Sequence, residues 1–329
     1  MESIMRSSRL GILAFIALVV VFTTNCSYYN RIMSRKNLVD GSVAYKERKF
    51  DRAEELFRKA AERDPEGATL EGRTAQLFLA RTIHSQYIGN RSDKSKADAA
   101  ITEYKKMLAV DPNEQSAYKA VAGLLENLAR DEEWKTWVTE RSNNESIKPQ
   151  FRAEALTSLA AKQNTCANEI SDTDATKKEA KDKDGKPIYQ FVKPEDPAEL
   201  EKMRACITLG NQLIEKAVSL ETDEVKQVKG LDVKTLTDGQ LKEKLDLVKA
   251  YESARSYRAS LTIQASRLAE MEGRIDDAAN LKKQAEAARA QFLELSDASK
   301  AIQGEIDARI AAEQEAANAN KAKPGTENK

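Results

Sequence analysis

Few residues in this 329-residue chain are of the types that do chemistry. The single histidine, His84, has no second histidine, cysteine or carboxylate at metal-ligand spacing, so neither a zinc site nor a nucleophile–base pair forms around it. The stretch "DKDGK", residues 182–186, resembles part of a calcium loop. Such a loop needs an acid where Ala180 stands and a glutamate where Phe191 stands, and both fail. No Gly-rich phosphate loop, serine elbow or HExxH is present. One enzymatic alternative places an active site around Lys186 and Tyr189, and it requires an ordered pocket with convergent polar groups. The favoured reading has no catalytic residue, no metal and no cofactor. That leaves Cys26, Cys166 and Cys206. A cysteine can be acylated, bonded to another, or simply buried as a small apolar side chain.

The elements that would position these residues are helices. The chain is 32% charged and 41% apolar with only 13 Gly and 7 Pro, a balance of amphipathic helices rather than strands and turns. Alternating Val-Ile-Thr runs are scarce, so an all-α fold is expected. Lysine plus arginine equals aspartate plus glutamate at 53 each, which gives no electrostatic footprint for nucleic acid, and none is expected as a partner.

Residues 1–25 read as a targeting segment. Arg6 and Arg9 precede the apolar run "LGILAFIALVVVF", residues 10–22, shorter than the roughly 20 residues of a membrane span and suited to a signal-peptide core. The alternative is an uncleaved signal anchor in an inner membrane, with Thr23 to Tyr29 extending the helix. Cys26 directly after this core resembles the processing site of bacterial lipoproteins, although Asn25 and Thr23 stand where that pattern has a small and an aliphatic residue. The resemblance implies lipidation of Cys26, which would tether the chain by its N-terminus to one leaflet. The expected location is the bacterial cell envelope, facing the periplasm, on the outer membrane in preference to the inner.

Beyond it a pattern repeats. In "AYKERKFDRAEELFRKAAERDP", residues 44–65, Phe50, Ala53, Phe57 and Ala60 precede Asp64-Pro65, and Leu38, Ser42 and Tyr45 share a face of the helix before. This stretch resembles the tetratricopeptide repeat, a helix–turn–helix unit of about 34 residues whose small residues sit where helices cross. A second copy has Leu79, Ala80 and Ile83, then Ala100, Tyr104 and Met107 before Asp111-Pro112, with "IGNRSDKSK" read as a lengthened turn. A third has Tyr118, Val121, Ala122 and Leu125, partnered by Trp134 and Trp137. A fourth opens at Pro149, with Leu156, Leu159 and Ala160 facing Gly210, Ile214 and Ala217. A fifth turns at "GRIDDA", with Ile275 and Ala278 in the equivalent places. Phe292, Leu295, Ile302, Ile306 and Ile310 then continue at helical spacing as a long capping helix.

The resemblance implies a solenoid of about five helical hairpins. Repeats one to four are expected in 26–220, with a polar insertion at 168–194 read as a solvated hairpin or flexible loop. The fifth repeat and the cap are expected in 221–316, and a disordered tail in 317–329. In the fourth hairpin Cys166 and Cys206 flank the insertion near adjacent helix ends. They are read as a disulfide, with two small buried thiols as the alternative. A solenoid of this family presents a concave groove lined by the first helix of each repeat, which implies a protein or peptide ligand. Lys46, Arg81, His84, Lys119 and Asn127 are the groove candidates, and their cations suit an acidic segment or a C-terminal carboxylate. The expected function is an exported, membrane-tethered adaptor that binds partner proteins in assembling envelope complexes.

Overall fold

A computed structural model describes residues 28–182 and 184–322, and Cys26 and the targeting segment lie outside them. The described chain is helical except for one β-hairpin. The helices are α1 (28–46), α2 (Phe50–Ala61), α3 (Leu70–Gly89), α4 (Lys94–Val110), α5 (Gln115–Asn127) and α6 (Asp131–Asn143). There follow α7 (Pro149–Ser171), α8 (Pro197–Ser219), the short α9 (Asp223–Lys226), α10 (Asp238–Met271) and α11 (Ile275–Ala322). Strands β1 (Lys177–Lys181) and β2 (Pro187–Phe191) pair antiparallel between α7 and α8. The chain forms two compact units, Met1–Trp134 and Lys135–Lys329. That boundary falls within α6, earlier than the expected division near residue 220.

In unit 1 each helix from α2 packs on the next, α2 on α3, α3 on α4 and α4 on α5. The crossings use the small residues of the repeat. Ala53, Ala60, Ala80, Ala97, Ala100 and Ala117 are fully buried, and Phe57 fills the gap between them. Its ring centroid lies 5.4 Å from that of Phe78. Gly41 leaves room for Phe57 against α1, since a Cβ there would stand 2.8 Å from the Phe57 ring. Asp64 accepts from the backbone N–H of Ala68 and Thr69 and from the Thr69 hydroxyl, at 3.0, 2.7 and 2.6 Å. Thr69 in turn caps α3 through Gly72 N–H. The Asp-Pro stop of one hairpin thus starts the next. The stretch expected as a long turn after Ile88 does not lengthen the turn. Gly89 ends α3 and Lys94 starts α4, so the added residues lengthen the helices.

In unit 2 α10 packs on α7, α8 and α11. The core is built on Leu156, Ile214, Leu241, Val248, Tyr251, Leu261, Leu295 and Ile302. Gly210 lets α8 meet α10, because a Cβ there would stand 2.6 Å from Leu261. The expected fifth second-helix and cap form one helix, α11. It runs through Ala322, so residues 317–322 are helical and not a disordered tail. Ile275 and Ile310 are exposed at positions expected to pack. The insertion starts later than read, because Asn168 to Ser171 continue α7.

Three hairpin turns share one geometry. At Arg48, Ala129 and Gly273 φ is 60°, 54° and 79°. The N–H one residue further reaches back to Ala44, Leu125 and Ala269, each at 2.8–2.9 Å. This double-bonded helix ending with one left-handed residue closes α1–α2, α5–α6 and α10–α11 alike.

Candidate functional site

A connected polar group lies in unit 1, on the first helices of successive hairpins. The Tyr45 hydroxyl on α1 and the Ser85 hydroxyl on α3 share a hydrogen bond of 2.9 Å. On α3, Arg81 Nη2 donates to Ser116 Oγ of α5 at 3.1 Å, and its guanidinium carbon lies 5.5 Å from the Phe78 centroid. Ser116 Oγ in turn donates to Glu114, whose side chain also receives the Ser116 N–H at the start of α5. A seam of hydroxyls and one guanidinium therefore crosses α1, α3 and α5.

His84 completes it. Its Nδ1 lies 3.3 Å from the Tyr104 hydroxyl on α4, and the two rings meet edge to face at 5.9 Å. Burial and the nearby Arg91 push the His84 imidazole below its ordinary range, so at neutral pH it is uncharged. Burial pushes the Tyr104 phenol up to about 12. Neither group is poised to exchange a proton at neutral pH. Each serves as a hydrogen-bonding wall, and Arg81 is the charge of the seam. Among the described residues no carboxylate pairs directly with Arg81, and Glu114 reaches it only through Ser116.

The structure distributes the groove candidates unevenly. Arg81 and His84 share one face of α3 with Ser85, at about 100° of rotation per residue. Lys119 and Asn127 are exposed on the α5 face that carries Ser116. Lys46 departs from the group. Next to Tyr45 in sequence, it is turned about 100° away from the seam and exposed with Val39 and Val43 on the outer side of α1. Ser85 and Ser116 belong to the seam and were not singled out, since a lone serine carries no spacing signal, and Tyr45 was marked only as a packing residue of the first helix.

The other candidates lie in unit 2. Cys166 and Cys206 form a disulfide between α7 and α8 with their Cα atoms 6.2 Å apart. The insertion holds an ordered β-hairpin, with Asp182, Asp184, Gly185 and Lys186 at its turn. Asp182 Oδ1 accepts from the N–H of Asp184 and Lys186, and Gly185 takes φ 77°. The hairpin is tied down at its base, where Phe191 N–H donates to Glu270 of α10 at 3.0 Å. The Phe191 ring stacks 4.6 Å from the Arg267 guanidinium. An open hollow on the hairpin is lined by Glu179, Ala180, Lys181, Pro187, Ile188 and Tyr189. Tyr189 is exposed and lies 4.4 Å from Lys177 Nζ, and Lys186 is not part of the hollow. The convergent polar groups that an active site at Lys186 and Tyr189 requires are not assembled there. Among the described residues no group of three or more His, Cys, Asp or Glu side chains could hold a metal ion, and no helix is long and apolar enough to cross a membrane.

No protein-family model matches the chain, and no curated protein matches it either. A solved structure from the functional characterization of Pseudomonas aeruginosa PilF aligns with 82% of this chain and 97% of its own at 17% identity. Its TM-score of 0.31 is too low for the superposition to carry an argument about fold or role. The functional reading therefore rests on the helix hairpins and the seam themselves.

Proposed function

We propose that the chain is a tetratricopeptide-type adaptor of the bacterial cell envelope, tethered to a membrane through Cys26. It holds an acidic segment of a partner protein against the first helices of unit 1. One observation carries the binding half of this reading. Arg81 is half-buried, fixed between Ser116 and the Phe78 ring, and among the described residues has no carboxylate of its own. A guanidinium held in this way has already lost much of its conformational freedom and part of its hydration. A carboxylate arriving from a partner therefore gains a charge-assisted bond at reduced entropic cost. Lys119 and Asn127 on α5 supply a second cation and an amide for the same segment. The Cys26 tether would keep the adaptor at one membrane face, where its partner is made or assembled.

In-cell photocrosslinking from Asn127 tests the binding half. A partner captured from Asn127 should bind the Arg81→Ala protein roughly tenfold to a hundredfold more weakly, the worth of one charge-assisted hydrogen bond. An unchanged affinity would remove Arg81 from the site. The tether is read separately, because palmitate labelling should depend on Cys26. Equal labelling of Cys26→Ala would end the lipoprotein reading and leave the adaptor reading standing.

A further inference from the structure

We propose that the outward face of α1 is a lipid-contacting surface that lies on an anionic bilayer. The proposal rests on the tethered reading above. The inner side of α1 is fixed against its unit by Ser34, Asn37, Gly41 and Ala44, all buried. On the opposite side Tyr28, Ile32, Val39 and Val43 are 69%, 49%, 58% and 51% exposed. With about 100° of rotation per residue, these four fall in one stripe, and Arg35, Lys36 and Lys46 fall within the same arc of about 100°. No carboxylate shares that arc, and Asp40 and Glu47 stand beyond its edge. Among the described residues no acid forms an ion pair with Lys36 or Lys46, whereas Glu71 pairs with Arg31, outside the arc, at 3.3 Å and also feels the nearby charge of Arg35.

Apolar and basic residues interleaved without acids suit a surface of anionic headgroups over acyl chains. The position of the helix favours the same occupant. Tyr28 follows Cys26 by two residues, which span at most about 7 Å. A lipid on Cys26 therefore delivers the start of α1 to the headgroup layer. Tyr28 and Tyr29 lie at that end, where aromatic rings partition into the membrane interface. A second copy of the chain fits less well, since pairing this face with itself would oppose cations with cations.

The test uses the full chain reconstituted into vesicles of phosphatidylcholine, with and without phosphatidylglycerol, and lysine acetylation read residue by residue. Lys36 and Lys46 should be protected about fivefold on the anionic vesicles, which corresponds to the attraction of one basic residue to such a surface. Lys59 and Lys106, exposed on α2 and α4, should label equally in both. Val39→Glu with Val43→Glu, both at solvent-exposed positions, should abolish the protection. Equal acetylation on both vesicle types, with the protein floating with them, would overturn the proposal while the tether stands. Failure to float on anionic vesicles would overturn both. Protection without lipid that grows with protein concentration would assign the face to a second copy. Protection that appears only with added envelope protein would assign it to a polypeptide. Either result removes the lipid surface.

Discussion

Between α1 and α5 the helices meet on alanines and on Phe57, Leu79, Ile83, Tyr104 and Met107. The Ser34 hydroxyl reaches the Ala60 carbonyl within that core at 3.2 Å, but the side-chain pairs of the seam that cross from helix to helix are only half-buried. Between α7 and α11 the helices also cross on alanines, but directional bonds are set deep within the packing. Ser171 Oγ donates to Gln264 Oε1 at 2.8 Å, and Gln264 Nε2 donates to Asn168 Oδ1 at 3.0 Å. Arg267 donates to Asn168 and Ser171 at 3.1 and 3.0 Å. Arg255 grips both carboxylate oxygens of Glu221 at 2.7 and 2.8 Å, and the Tyr251 hydroxyl donates to the Leu220 carbonyl at 2.6 Å. The disulfide adds a covalent tie. The difference follows from helix length. In a short hairpin the tight turn sets the register of the whole pair. In a long one an apolar seam still tolerates a slip by one turn, about 5.4 Å, far from the turn. Buried hydrogen bonds penalise that slip, because every misplaced donor loses its partner.

The largest test of this contrast is the disulfide. Breaking Cys166–Cys206, by reduction or by Cys206→Ala, frees a loop of 40 residues and should cost unit 2 about 4 kcal/mol in the chain-entropy model. Hydrogen exchange read by peptide should speed up in α7 and α8 and stay unchanged in α2 to α5. Equal acceleration in both units would mean that the two are not held by separate means.

A smaller effect is expected from Gln264→Ala. Gln264 is 4% exposed, and its loss strips one partner each from Ser171 and Asn168. The expected cost is about 2–3 kcal/mol by urea denaturation. The matching change in unit 1, Ser85→Ala, should cost less than about 1 kcal/mol, since water can reach the half-exposed Tyr45 hydroxyl. Comparable costs at the two sites would remove the distinction between a deep lock and a shallow seam.

How much of this was legible in the sequence divides along the same line. Ala53, Phe57, Ala60, Leu79, Ala80, Ile83, Ala100, Tyr104 and Met107 are all buried at the spacings that marked them, because period and side-chain size are local properties. The extent of α10 and α11 was less legible. Ile275 and Ile310 fit the helical period, but period places a residue on a face and does not say what covers that face. The lock around Gln264 left no signal, since its members are separated by more than 90 residues and glutamine, asparagine and serine are ordinary on helix surfaces. Of the seam, Arg81 and His84 were visible by charge and rarity. Their hydroxyl partners were not, because only the folded crossing of α1, α3 and α5 brings them together.

The smallest effect concerns a turn that both units share. Arg48, Ala129 and Gly273 occupy the same left-handed position of the same helix ending. A side chain there brings Cβ close to the following carbonyl, at a cost of roughly 1–2 kcal/mol, and glycine avoids that clash at the expense of greater freedom when unfolded. The two terms oppose each other, and the steric one is the larger. Arg48→Gly and Ala129→Gly should therefore each stabilise unit 1 by about 0.5–1 kcal/mol, and Gly273→Ala should destabilise unit 2 by about 1 kcal/mol. Urea midpoints of the three variants decide it. Opposite signs in the two units would show one turn filled by a strained residue twice and a relaxed one once. The same sign in all three would mean that this position is relieved by neighbours, and that the shared turn does not set the register of the short hairpins.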